Sequence, residues 1–186
     1  ASRAALLTGQ CAHSSGMLGL AHRGFALYDY GQHLVHTLAG AGYCTVLAGV
    51  QHEAPDPAMI GYERRLRPAS HHVAEVVPGA VDFIRRPHDR PFFLSVGFSE
   101  THRSFHAPGP AQDPRYCRPP APIADTAATR QDMAAFMASV EVLDRGVGAV
   151  LQAIDEAGLA ERTLLVCTTD HGIAFPVMKC NLTDHG

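Results

Sequence analysis

Three apolar runs of strand length, separated by stretches of helical periodicity, constrain this chain more than any other feature. Cys44–Val50 (CTVLAGV), Pro91–Phe98 (PFFLSVGF) and Thr163–Thr169 (TLLVCTT) are continuously apolar or small rather than alternating. Such strands need cover on both faces, as in a parallel sheet flanked by helices. Between them, Gln32–Ala41 carries Leu34, Val35 and Leu38 at helical spacing, and Gly42 stops it. His71–Arg85 carries Val73, Val76, Val77, Val81 and Ile84, with Pro78-Gly79 expected to weaken or interrupt the helix. Thr129–Ala157 carries the longest apolar face, from Met133 to Ile154, with Thr129 as expected cap and Gly158 as expected stop. The order strand, helix, strand predicts an α/β fold with a mostly parallel central sheet. Residues 106–122 hold six prolines and read as an ordered loop or lid.

Composition then excludes whole classes of function. Lys plus Arg number 15 against 18 Asp plus Glu, a net charge of -3, and no basic stripe supports nucleic-acid binding. No apolar run approaches the roughly 18 residues of a membrane span. The five cysteines (Cys11, Cys44, Cys117, Cys167, Cys180) are scattered and odd in number. That pattern argues against a disulfide framework and slightly favours a reducing, cytoplasmic location. Cys44 and Cys167 lie in apolar runs and are expected to be buried. No leader peptide is visible, although the chain opens on Ala-Ser-Arg without Met.

The excess is in histidine, 12 of 186 residues, which points to proton or metal chemistry. Ligands of open α/β sheets gather beyond the carboxyl ends of the strands. There the three runs deliver Gln51-His52-Glu53, Ser99-Glu100-Thr101-His102-Arg103 and Asp170-His171-Gly172. Asp170 and His171 form a carboxylate and imidazole pair suited to a cation, and Lys179 is a candidate cation for an anionic substrate. Glu53, Glu100 and Arg103 read as solvated loop charges. His71, His72, His88 and His106 read as surface or lid histidines.

Four separated motifs resemble the sulfatase family of the alkaline-phosphatase-like superfamily, in family order. Ala1-Ser2-Arg3 through Leu6 to Thr8-Gly9 resembles the second half of the signature Cys-x-Pro-Ser-Arg followed by x-x-Leu-x-Thr-Gly. Gly49-Val50-Gln51-His52 resembles Gly-Lys-x-His. Phe92–Phe98 leading to Thr101-His102-Arg103, and Thr169-Asp170-His171-Gly172 through Phe175-Pro176 to Lys179-Cys180-Asn181-Leu182, are most similar to the heparan N-sulfatase (sulfamidase) branch.

The resemblance implies hydrolysis of sulfate esters or N-sulfo groups by residues 1–186, read as an internal part of the N-terminal catalytic domain. Its nucleophile is a formylglycine made from a Cys two residues before Ala1 by a formylglycine-modifying enzyme. Ala1 stands where the family has Pro. Arg3 is implied to hold the nucleophile's oxygen, and His52 to help sulfate leave. His102 and Lys179 are implied to bind substrate and protonate the leaving group. Asp170 and His171 are implied metal ligands, for Ca²⁺ or another divalent ion. Two further metal carboxylates lie upstream in the family. Val50 occupies the usual Lys position and supplies no cation. The implied substrate is a small sulfated sugar or aryl sulfate. The competing readings are a phosphonate or phosphate ester hydrolase of the same superfamily, and an inactive remnant. The 186 residues alone are expected to show no turnover.

Overall fold

The computed structural model describes residues 1–176, 178 and 179. The Cys180-Asn181-Leu182 part of the tail motif therefore lies outside the described residues. At the centre is β1 (Cys44–Gly49), buried at every position. It pairs in parallel with β2 (Arg64–Leu66) on one side and β3 (Phe92–Gly97) on the other, in the order β2-β1-β3. The register sets Cys44 opposite Phe92 and Gly49 opposite Gly97. The expected α/β architecture is thus present among the described residues as a three-stranded parallel sheet flanked by helices.

Period two decides which face each strand residue covers. Cys44, Val46 and Ala48, with Phe92, Leu94 and Val96, meet the helix α4 (Val73–Arg85) and the long α5 (Ala127–Glu156). Leu47 and Phe93 turn to the other face, where Val35 of α3 (Leu34–Gly40), Ala54, Ile60 and Tyr62 complete a second core. The N-terminal helices α1 (Ser2–Thr8) and α2 (Ala12–Ser15) add a third cluster of Ala4, Met17, Ala21 and Leu27.

Four expectations are corrected. α4 runs unbroken through Pro78. The lost hydrogen bond is outweighed by burial of Val73, Val76, Ala80, Phe83 and Ile84 on its inner face. The cap of α5 is Thr126, not Thr129. The Thr126 hydroxyl accepts from Thr129 N–H, and the Thr129 hydroxyl accepts from Thr126 N–H, a reciprocal box that starts the helix earlier. Thr163–Thr169 forms no strand, and Leu164 is 91% exposed. The run flanks an apolar groove of about 270 Å³ between β3 and α5 without pairing with the β3 edge. A strand exists only through its ladder, so an apolar run without a partner stays irregular. For the same reason Cys167 is exposed while Cys44 is buried. Residues 106–122 contain turns but no helix or strand, as their prolines require.

Two glycines matter for the site. Gly49 has φ +84° and sits where a Cβ would come within 2.0 Å of the Gly97 carbonyl oxygen. At Gly97 a Cβ would lie 2.1 Å from the Val50 carbonyl oxygen and 2.9 Å from Arg3 Nη1. Only paired glycines allow β1 and β3 to end this close together with a guanidinium laid across them.

Candidate functional site

Arg3, in the first turn of α1, reaches the carboxyl end of the sheet across that glycine gap. Its Nη1 donates to the Val50 carbonyl at 2.7 Å, and its Nε faces Asp170 Oδ2 at 3.4 Å. Residues 167 positions apart in sequence thus meet where an α/β sheet gathers ligands. Val50 contributes its backbone oxygen, while its side chain is buried.

His52 follows on the same rim. It is the only non-glycine residue of positive φ, +66°, among the described residues. Its proton affinity is pushed below the ordinary histidine value, first by loss of water around part of the ring, then by the charges of Arg3 and His22. His71 adds to this effect, and Asp170 opposes it. The residue nevertheless keeps an exposed surface toward solvent. His22 packs edge-on to His52 with ring centroids 6.1 Å apart. No motif signalled His22, since it stands alone in a polar turn.

Asp170 and His171 lie with Oδ1 and Nε2 3.5 Å apart. The His171 Nδ1 is 2.6 Å from the Gly172 carbonyl, to which it donates. In the neutral ring this hydrogen bond leaves Nε2 with its lone pair, facing a carboxylate oxygen. Two acceptors turned toward one another suit a shared cation, with the backbone bond fixing the tautomer. No cluster of three or more His, Cys, Asp or Glu side chains able to hold a metal occurs among the described residues. Asp170 and His171 thus offer two donors to a cation and no third such side chain beside them among the described residues.

His102 is exposed, and its Nδ1 donates to the Arg103 carbonyl at 2.6 Å, which leaves Nε2 without a protein partner among the described residues. No hydrogen bond or ion pair among the described residues ties His102 or Lys179 to Arg3, His52 or Asp170.

The three charges read as solvated are each engaged. Arg103 grips Asp132 of α5 with both terminal nitrogens, Nη1 at 2.7 Å, and donates through Nε to the Ala174 carbonyl at 2.8 Å. Its guanidinium also lies over Phe105 and Phe175, at 4.5 and 5.3 Å from the ring centroids. It thereby ties the His102 loop to the segment that follows Asp170. Glu100 is buried and accepts from Val73 N–H at 3.0 Å, with His72 and His106 on its other oxygen. Burial pushes its carboxyl upward, but the hydrogen bonds from Val73, its own backbone, His106 and His72 outweigh that and hold it below the ordinary range. Two of the surface histidines therefore serve Glu100. Glu53 is buried against His33.

Residues 1–182 match the family model for sulfatases. The chain is 31% identical to the human N-sulphoglucosamine sulphohydrolase over 97% of its own length and 42% of that protein. It is 40% identical to the mouse steryl-sulfatase over 48% of the chain, which is 12% of that protein. To the rat steryl-sulfatase it is 33% identical over 58% of the chain and 16% of that protein. The chain thus spans about two fifths of the first of these relatives and far less of the others.

Proposed function

Because the chain belongs to the sulfatase family, we propose that it carries part of the active site of a sulfuric ester hydrolase acting on small sulfated sugars, N-sulfo sugars first among them. One observation carries the reading. Arg3 and Asp170, at opposite ends of the sequence, converge beside His52 at the carboxyl ends of β1 and β3. No membrane-crossing helix is present among the described residues.

In the reaction, the bond from sulfur to the leaving oxygen or nitrogen breaks. Water's oxygen ends on sulfate, and a proton ends on the leaving group. A divalent cation such as calcium would be held partly by Asp170 and His171 and would supply charge stabilisation, and a formylglycine in the full-length protein would supply the attacking oxygen. The remaining work falls to this chain's side chains. Arg3, fixed by the Val50 carbonyl, presents a permanent positive charge to the anion. His52, held neutral by its surroundings near pH 7, serves as a base during sulfate departure. His102, through Nε2, and Lys179 supply the proton and positive charge for the leaving group.

The test is turnover of paired aryl sulfate and aryl phosphate, and of an N-sulfo glucosamine, by the full-length protein. Sulfate release that falls at least about 100-fold in Arg3→Ala supports the reading. Hydrolysis of the phosphate alone, or none, refutes it. Metal content measured after dialysis should fall in His171→Ala, and unchanged content removes His171 from the ligand set.

A further inference from the structure

The loop that carries His52 is anchored by a buried hydrogen-bonded pair that the proposed reaction does not use. His33 is fully buried at the N-terminus of α3, and Glu53 is 2% exposed. Their side chains meet at 2.8 Å, Nε2 to Oε2. The tautomer of His33 follows from its other contact. Val35 N–H donates to His33 Nδ1 at 3.2 Å, so Nδ1 carries no proton and Nε2–H donates to Glu53. The imidazole thus caps a helix with one nitrogen and holds a buried carboxylate with the other.

Further polar groups of the turn are also engaged. Gln51 Oε1 accepts from Glu53 N–H and from Ala54 N–H, the latter at 2.8 Å, and its Nε2 donates to the Ala54 carbonyl at 2.6 Å. Tyr30 Oη donates to the Glu53 carbonyl at 3.1 Å. These bonds close the turn around one residue, His52, whose backbone lies in the left-handed region at φ +66°. A non-glycine residue stays there only when its surroundings over-determine the conformation. An isolated buried pair is weak as a source of stability, because removing two polar groups from water costs nearly what their attraction returns. Its value here is geometric.

We propose that Glu53, held by His33, is a positioning residue that fixes the His52 ring on the site rim beside Arg3 and His22. The proposal deepens the sulfatase reading, since His52 is the group positioned. Its structural part is nonetheless measurable without turnover.

The experiment compares Glu53→Leu, Glu53→Gln and Tyr30→Phe in full-length protein labelled with ¹⁵N-histidine. The signals of each imidazole are read, with His88 as the remote control. Glu53→Leu keeps apolar volume but removes the acceptor for His33. It should shift or broaden the His52 signals while His88 stays unchanged. It should also lower kcat roughly 10- to 100-fold with KM within about twofold. Glu53→Gln keeps an oxygen for His33 Nε2–H and should recover most of kcat. Tyr30→Phe deletes only the hydroxyl on the Glu53 carbonyl and should act in the same direction, more weakly. If Glu53→Leu does not fold, Tyr30→Phe decides. A folded variant that melts earlier but leaves the His52 signals unmoved overturns the proposal, because a purely structural pair would behave that way. Displaced His52 signals in a protein that hydrolyses no sulfate would retain the positioning role and reject the sulfatase reading instead.

Discussion

Replacing Gly97 by alanine should break the site from its floor. The new methyl carbon would stand 2.1 Å from the Val50 carbonyl oxygen, whereas Cβ contacts essentially never fall below 3.0 Å. About 0.9 Å of separation must therefore be found between the ends of β1 and β3. Neither side can yield by a side-chain rotation, since the obstacle is backbone. Two hydrogen bonds cross that gap, Val50 N–H to the Gly97 carbonyl at 3.0 Å and Arg3 Nη1 to the Val50 carbonyl at 2.7 Å. Overpacking of this kind costs about 1–3 kcal/mol. Loss of a hydrogen bond to a charged group adds about 1.5–3 kcal/mol. Urea unfolding of the full-length protein should thus show destabilisation of about 2.5–6 kcal/mol. Arg3→Ala measured alone and together with Gly97→Ala completes a double-mutant cycle. The two effects should fall short of additivity by about 1 kcal/mol or more, because the alanine has already displaced the guanidinium. A Gly97→Ala protein within about 0.5 kcal/mol of the parent, with a fully additive Arg3→Ala effect, would refute the argument.

Two further outcomes follow from the packing and the buried carboxylate. A Cβ at Gly146 of α5 would meet Val73 Cγ1 of α4 at 2.4 Å, so Gly146→Ala should cost about 1–3 kcal/mol in urea unfolding. Val73→Ala in the same chain should recover part of that loss, and an unchanged penalty would place the strain elsewhere. Glu100 is held below its ordinary value of 4.5, so its contribution to stability is complete above that value and disappears as pH falls through the lower folded value. Glu100→Gln should therefore destabilise by about 1–3 kcal/mol at pH 7 and converge on the parent in strongly acid solution. A difference constant from neutral to acid pH would contradict the assignment.

The sequence carried the architecture wherever periodicity and burial agreed. β1 is buried on both faces, and α3 and α4 present the apolar residues that their spacing required, whereas α5 buries the small residues Ala134, Ala138, Gly146 and Ala153 and leaves Met137, Val140 and Leu151 exposed. It misled at Thr163–Thr169 because composition reports willingness to be buried, whereas strand identity requires a partner edge. It misled at Pro78 because local cost is visible in one residue while the offsetting burial is spread over five.

For the site, motif order brought Arg3, His52 and Asp170 within reach of a single hypothesis, but the reason they converge was hidden. It lies in Gly49 and Gly97, whose missing Cβ atoms let two strand ends and a guanidinium occupy one small volume. Charged residues were the least legible class. Glu53, Glu100 and Arg103 each look like loop polarity, because each has a partner 20 to 71 positions away in sequence. Once paired, they act on three loops at the same rim. Glu53 secures the His52 turn from below. Glu100 joins the start of α4 to His106. Arg103 binds the His102 loop to α5 and to Ala174. The candidate chemistry on exposed loops is thus held from behind by buried carboxylate hydrogen bonds and one bidentate Arg–Asp pair. Those pairs, rather than the exposed histidines, are where conservative substitutions should separate positioning from catalysis.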